Sequence, residues 1–413
     1  MIRFARALLA TFLTCGLLAA CATRPVERGA GADPTILVSI DGFRADYLDL
    51  GVTPELSRLA TQGAQGAIRP SFPSKTFPNH YTLVTGLRPD HHGVVDNNMR
   101  DPVIPGVTFK LSSREAVTDR RWWDDGEPVW VTAEKAGRRT AVMFWPGSEA
   151  PIHGVRPTEW RAYDAGVSAA GRVDQVLAWL DAPLAERPRF IALYFDAVDT
   201  AGHNHGPRSG EVKAALRETD AALARLTEGL SKRGLRANIV VVSDHGMAEI
   251  SSDRIIRLDQ IVPADAGETL TMGAFLTYYP AAGREAEARA ALLAPHDHMT
   301  CWPKEKIPAA DHYGTHRRVA PIVCLPETGW EIVTAASLAR WGVKGGDHGF
   351  DPYAPEMRAL FLGVGPAFRP GTRTPLTDNV DVYPVLMRLL ALEPRSNDGG
   401  PALSEAALVA QSR

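Results

Sequence analysis

Cysteine is scarce in this chain: four residues in 413, at positions 15, 21, 301 and 324. A strong charge of one sign is missing too. Forty-five Lys and Arg against 48 Asp and Glu leave a formal net charge of −3, which argues against a nucleic-acid-binding surface. A nucleotide, if bound, needs its phosphates neutralised by metals and a few local groups. After the first twenty residues no apolar run reaches membrane length, so the mature protein is expected to be soluble or held only by lipid. Internal repeats and low-complexity tracts are absent, which excludes a solenoid. What is present is 45% hydrophobic residues, enough for a sizeable core, and 31 prolines with 36 glycines, which point to many loops.

Residues 1–21 read as a targeting segment. Arg3 and Arg6 precede an apolar stretch over 7–20 that is too short to span a bilayer. Leu18-Ala19-Ala20-Cys21 resembles the lipobox of bacterial lipoproteins. It implies lipidation at Cys21 and a periplasmic protein anchored to the outer membrane. Ordinary cleavage near Ala20 or Ala22 is the alternative. Residues 22–33 read as a tether. In an oxidising periplasm Cys301 and Cys324 form an expected disulfide, against two unpaired thiols.

Five short apolar runs, at 35–40, 139–144, 190–195, 238–242 and 359–364, read as buried strands. Residues 172–181 and 211–233 have helical spacing. This alternation predicts an α/β fold, a parallel-core sheet covered by helices on both faces. Residues 251–344 break the rhythm and read as an inserted cap. The catalytic domain is then 34–250 plus 345–395, with 396–413 as a C-terminal tail.

Ligands of such sheets sit beyond the carboxyl ends of the strands. Asp41-Gly42 follows the first run. Asp199 and His203 follow the third, in an Asp-x-x-Gly-His unit. Asp244-His245-Gly246 follows the fourth, and Asp347-His348-Gly349 follows the cap. Each alone is common in turns. Together Asp41, Asp199, His203, Asp244, His245 and His348 make three carboxylates and three imidazoles at strand ends, all natural zinc ligands. Two such metals are the usual device for in-line displacement at phosphorus. His80, His91, His92 and His205 lie near these motifs, and supporting or capping roles suffice for them.

Pro70-Ser71-Phe72-Pro73-Ser74-Lys75-Thr76-Phe77-Pro78-Asn79-His80 keeps the chain irregular until a hydroxyl residue arrives. A helix is expected to start nearby, since Asn79 to Thr85 lacks breakers, which places Thr76 near a helix N-terminus, where an anion is favoured. Thr76 reads either as a nucleophile, which needs a base or metal to activate it, or as a simple helix cap.

Lys75-Thr76-Phe77-Pro78-Asn79-His80, taken with the four upstream and downstream motifs, resembles the nucleotide pyrophosphatase/phosphodiesterase family of the alkaline phosphatase superfamily. The resemblance covers about residues 35–395. It implies an alkaline-phosphatase-like fold, two Zn2+ ions and a covalent intermediate on Thr76. By motif, Asp199, His203 and His348 hold one zinc. Asp41, Thr76, Asp244 and His245 hold the other, and Asp347 is not carried over. Asn97 matches the asparagine that hydrogen-bonds a non-bridging phosphoryl oxygen. Phe77 and Tyr163 match a pair that sandwiches a nucleobase. Phe144 to Glu149 and the cap stretch 306–323 resemble the nucleotide-hydrolysing members. The implied substrate is a small nucleotide rather than a nucleic-acid polymer, cleaved at a phosphodiester or pyrophosphate bond, as in nucleoside triphosphate to 5′-monophosphate plus pyrophosphate. The alternative keeps the mechanism and acts on choline phospholipids or other non-nucleotide diesters. No arginine stands beside the nucleophile motif, which suits a diester monoanion better than a monoester dianion.

Overall fold

The structure is a computed structural model that describes residues 33–410. The expected signal peptide, Cys21 and the tether up to residue 32 lie outside the described residues. Eight strands form the spine of the main sheet: β1 (Thr35–Ile40), β2 (Ala64–Arg69), β3 (Thr140–Met143), β4 (Glu159–Trp160), β5 (Phe190–Phe195), β6 (Asn238–Val242), β7 (Ala359–Val364) and β8 (Thr372–Arg373). Their spatial order is β8-β2-β7-β6-β1-β5-β3-β4. β1 pairs in parallel with β5 and β6, and β3 in parallel with β5 and β4.

Successive residues of β1 feed opposite cores. Ile36, Val38 and Ile40 join one apolar cluster, Leu37 the other, and all four are fully buried. A strand buried on both sides reads as a continuous apolar run because neither face meets water. On the first face pack α1 (Pro54–Gln62), α3 (Ala169–Leu180) and α5 (Gly210–Lys232); on the second pack α2 (Thr76–Thr85) and α6 (Val382–Leu389). Between α3 and α5 lies α4 (Ala197–His205), directly after β5.

β7 departs from the expected parallel arrangement. It runs antiparallel to both β6 and β2. The reason is the edge at which the chain returns. His348 lies at the carboxyl edge of the sheet with the other site residues, and a strand that starts from that edge must run the opposite way. At the C-terminus, α7 (Ala402–Ala407) is docked by its apolar face. Leu403 and Ala407 are fully buried in the second core, and Val409 N–H donates to Ala367 O.

Residues within 251–344 build a separate four-stranded antiparallel sheet, ordered Gly267–Thr271, Leu276–Pro280, Ile322–Pro326, Met299–Pro303. It has its own core of Leu276, Tyr278, Leu292, Met299 and Ile322. Cys301 and Cys324 face each other across the last strand pair and are disulfide-bonded. Polar groups lock this unit onto the elements around the main sheet. Asp90 accepts the backbone N–H groups of Gly314, Thr315 and His316. Arg318, fully buried, donates to Asp101 and to the carbonyls of Gly93, Trp122 and Arg121. Among the described residues no helix is long and apolar enough to cross a membrane.

Candidate metal centre and substrate cavity

Thr76 is the first residue of α2, and no side chain caps that helix. Thr76 thus lies at the helix N-terminus, as the sequence reading expected, and Pro78 falls in the first turn, where its missing N–H costs nothing. Buried Asn79 shapes the approach. Its amide donates to Pro73 O and Lys75 O while its carbonyl accepts Ser71 N–H. The loop therefore delivers Thr76 with its hydroxyl unspent on capping, 3.3 Å from His245 Nε2.

Asp41 stands at the end of β1, Asp199 and His203 one turn apart on α4, Asp244 and His245 after β6, and His348 in the loop ahead of β7. The structure brings them together. Asp41, Asp244 and His245 form one group whose ligand atoms lie within 4.8 Å of one another; Asp199, His245 and His348 form a second; His203, Asp347 and His348 form a third. His203 Nε2 lies 3.4 Å from Asp199 Oδ2, and His348 Nε2 lies 3.7 Å from Asp199 Oδ1.

All three imidazoles are oriented the same way. His203, His245 and His348 each direct Nδ1 at a backbone carbonyl, those of Gly346, Gly246 and Ser74. Each Nε2 is thereby turned inward as an acceptor, the arrangement that metal-binding histidines adopt. His80 differs, since both its nitrogens are engaged: Nε2 with Ser39 Oγ, Nδ1 with Thr76 O. It braces the helix and is not free to ligate.

The carboxylates show what the basin fits. Asp41 Oδ1 and Asp199 Oδ1 are buried without hydrogen-bond partners, while Asp244 Oδ2 faces His245 Nε2 at 2.9 Å and His80 Nδ1 at 3.2 Å. Buried acids of that kind are costly unless a cation faces them. Burial first, then Asp244 and Asp199, holds the Asp41 carboxyl well above its ordinary range. Burial, with Asp244 and Asp347 adding to it against His245, pushes Asp199 up to about 7. Burial would lower His245, but Asp244 beside it outweighs that and lifts the imidazole to about 9. Three crowded acids, unpaired oxygens and inward Nε2 atoms fit divalent cations. Tyr194 O–H donates to Asp41 Oδ2 at 2.6 Å and so aims Oδ1 into the basin.

A cavity of about 610 Å3 opens above this floor. Asp41, Thr76, Asp199, His203 and His348 line its base; Phe77, Phe144, Trp145, Tyr163 and Tyr194 line its walls. Phe77 packs on Phe109 and Trp123, while Tyr163 packs edge-on against Phe144. Among the described residues no ring contact joins Phe77 to Tyr163, so two aromatic walls face one space. Asn97 lines it too. Its Oδ1 accepts Phe77 N–H at 2.9 Å, which leaves the NH2 edge for the cavity. One guanidinium lines the cavity, Arg114, and it is paired with Glu149.

Several residues here were not singled out in the sequence. Lys75 is buried and donates to His348 O at 2.6 Å, and its place inside the nucleophile motif was the available signal. Tyr194 looked like an ordinary strand residue. Glu331 comes from the inserted unit to sit by Asp347, and burial first, then Asp347, pushes its carboxyl up to about 9. Nothing in the local sequence marks it.

Comparison with known proteins gives a consistent result. The sequence profile described as Type I phosphodiesterase / nucleotide pyrophosphatase matches residues 35–351. An uncharacterized pyrophosphatase/phosphodiesterase of Schizosaccharomyces pombe is 38% identical over 385 residues, 88% of this chain and 78% of that protein. Ectonucleotide pyrophosphatase/phosphodiesterase family member 1 of Mus musculus is 35% identical over 380 residues, 89% of this chain and 42% of that one. The chain thus spans less than half the length of its mouse relative. Murine ectonucleotide pyrophosphatase/phosphodiesterase 5, solved as an inactive threonine-to-alanine variant in complex with AMP, superposes with a TM-score of 0.86 at 32% identity, covering 91% of this chain and all of that one.

Proposed function

The chain belongs to the type I phosphodiesterase/nucleotide pyrophosphatase family, a family of two-metal hydrolases acting on small nucleotides, and on that premise we propose that it cleaves nucleotide phosphodiester and pyrophosphate bonds through a covalent intermediate on Thr76. The observation that carries this reading is the placement of Thr76 Oγ1, uncapped and 3.3 Å from His245 Nε2, beside three crowded buried carboxylates, two of which carry an oxygen without a hydrogen-bond partner. Two Zn2+ ions are the proposed metals: one held by Asp199, His203 and His348, the other by Asp41, Thr76, Asp244 and His245. When bound, they supply the positive charge that ionises Thr76 and water and stabilises the departing oxygen.

The residues divide the remaining work. Thr76 Oγ1 forms a bond to phosphorus as the bond to the leaving group breaks. Water then adds to the same phosphorus and restores the hydroxyl, releasing the 5′-monophosphate. For a nucleoside triphosphate the group lost in the first step is pyrophosphate. Asn97 offers its NH2 edge to a non-bridging oxygen. Phe77 and Tyr163 clasp the base from opposite walls; stacking of this sort is worth about 1–3 kcal/mol and tolerates any base. The AMP held by the murine relative supports a nucleotide in this cavity. Residues 251–344 act as the cap of the catalytic domain. Export, with a lipid anchor on Cys21 and a periplasmic location, completes the proposal, and the Cys301–Cys324 bridge is consistent with an oxidising compartment.

The test is a substrate panel with zinc-loaded enzyme: ATP, a nucleotide 4-nitrophenyl diester, a phosphomonoester and a choline phospholipid, run beside Thr76→Ala. Turnover of the first two, lost in Thr76→Ala, is expected. Turnover of the phospholipid alone would give the site to a non-nucleotide diester.

A further inference from the structure

We propose that Arg172 is a positioning residue that fixes the base-binding wall of the cavity and ties it to the metal centre. The proposal rests on the nucleotide reading above. Arg172 sits in the first turns of α3 and is 3% exposed. Its Nε donates to Val167 O at 3.0 Å. Its Nη1 donates to Tyr194 O at 2.9 Å and to Asp196 Oδ1 at 2.8 Å. The guanidinium carbon also lies 5.2 Å from the centroid of the Phe144 ring.

Each contact leads to the site. Asp196 takes Tyr163 O–H on its other oxygen, at 2.7 Å. Phe144 is the ring against which Tyr163 packs. Tyr194, whose carbonyl Arg172 holds, directs its own hydroxyl to Asp41. One buried cation therefore grips the loop before α3, the ends of β3 and β5, and through them both the stacking tyrosine and a metal-facing carboxylate.

The physical need is clear from Tyr163 itself. It is 49% exposed, and an aromatic ring that exposed is free to swing unless its far end is tied. Asp196 ties it, and Arg172 keeps Asp196 in place with a rigid planar fork that a lysine lacks. A ring already held in the stacking pose spends less of the binding free energy on being ordered. An apolar residue in the same space would leave Asp196 unheld beside the cavity and two backbone carbonyls without their donor, so its effect on stability has to be read apart from its effect on the nucleotide preference.

The test compares a nucleotide 4-nitrophenyl diester with bis(4-nitrophenyl) phosphate, which has no base. Wild type, Tyr163→Phe, Arg172→Met, the double variant and Arg172→Lys are assayed. Tyr163→Phe keeps the ring and removes only the tie. The preference for the nucleotide ester, taken as a ratio of kcat/KM values, is expected to fall about five- to tenfold in Tyr163→Phe, through KM, as for one ordinary hydrogen bond lost at a half-exposed ring. Arg172→Met should lower it as much, the double variant no further, and Arg172→Lys should restore part. An unchanged ratio in Tyr163→Phe, or additive losses in the double variant, overturns the proposal. If Arg172→Met does not fold, Arg172→Lys takes its place in the cycle with Tyr163→Phe: a partial loss of the preference that is not additive is expected, and an unchanged ratio or additive losses overturn the proposal. A wild-type enzyme with no preference for the nucleotide ester overturns the nucleotide reading instead.

Discussion

Asn97 offers the sharpest test of the proposed mechanism, which gives its two amide atoms separate tasks. Oδ1 accepts Phe77 N–H at 2.9 Å, and the residue lines the cavity, where the proposal gives its NH2 edge to the phosphoryl oxygen. Asn97→Ala removes both. The loss of one donor aimed at developing charge is expected to lower kcat about 10²- to 10³-fold. Phe77 N–H also loses its acceptor, at about 1 kcal/mol of stability. Asn97→Asp separates the two tasks. It keeps an acceptor for Phe77 N–H, so the helix start stays intact and the fold keeps its stability. It also turns a negative oxygen towards the phosphoryl group. A like charge at about 4 Å, in surroundings of effective dielectric about 20, costs about 4 kcal/mol, close to a further 10³-fold. The aspartate variant is therefore expected to melt higher than the alanine variant and to turn over more slowly. Thermal melting followed by circular dichroism and steady-state kinetics on a nucleotide 4-nitrophenyl diester measure both orders. An aspartate variant at least as active as the alanine one would refute the assignment of the NH2 edge to substrate.

Arg318→Met should destabilise the protein by about 3–5 kcal/mol, since it strands buried Asp101 and three carbonyls. At about 2.1 cal/mol/K for each of some 378 folded residues, Tm falls by about 4–6 °C; a shift under one degree would contradict it. Removing metal with a chelator should abolish turnover and lower Tm, with zinc restoring both; at metal concentrations about 100-fold above Kd, each site contributes about 3 kcal/mol. Unchanged melting after metal removal would count against the basin. Asp96 is buried between Thr271 and Asn97 N–H, and burial first pushes its carboxyl up to about 6. Because the folded pKa lies above the unfolded one, the folded state holds the proton longer, and the contribution of Asp96 to stability falls by about 2–3 kcal/mol as pH rises from about 4 to about 6. Urea titrations at both ends of that window should show a fall in Asp96→Asn that is smaller than in wild type by about that amount; equal falls would contradict it.

How much of this was legible in the sequence depended on whether the deciding neighbours were local. Ile36 to Ile40 could be recognised as a buried strand because both faces are apolar, and Asp41 stood out as the polar residue ending it. The same holds for Asp199, Asp244 and their histidines. The direction of β7 was not legible, since it depends on the sheet edge to which the inserted unit returns the chain. α7 was missed because a six-residue helix carries too little periodicity to separate Leu403 and Ala407 from a tail. Tyr194 and Arg172 were hidden for another reason. Their work is done with partners 153 and 24 residues away, Asp41 and Asp196, and nothing in the adjoining residues records it.

The same distances explain why the inserted unit belongs to the site although it contributes no expected metal ligand. His348 is set by Ser74 O, and Lys75, from that same stretch, is tied to His348 O. Ahead of His348 stands Asp347, against which the inserted unit presses Glu331. Asp96, which bonds Asn97 N–H with one oxygen, takes Thr271 of the inserted sheet on the other. Gly346-Asp347 pairs with Ala248-Glu249 just past Asp244-His245, closing the neck of the 251–344 unit beside the candidate metal-binding groups. A histidine reaching a metal from a loop needs that loop held as firmly as a strand, because a small displacement forfeits coordination geometry. The insertion supplies this rigidity. It turns the long excursion between His245 and His348 into a second anchored layer, so that residues about a hundred positions apart meet as closely as neighbours on one strand.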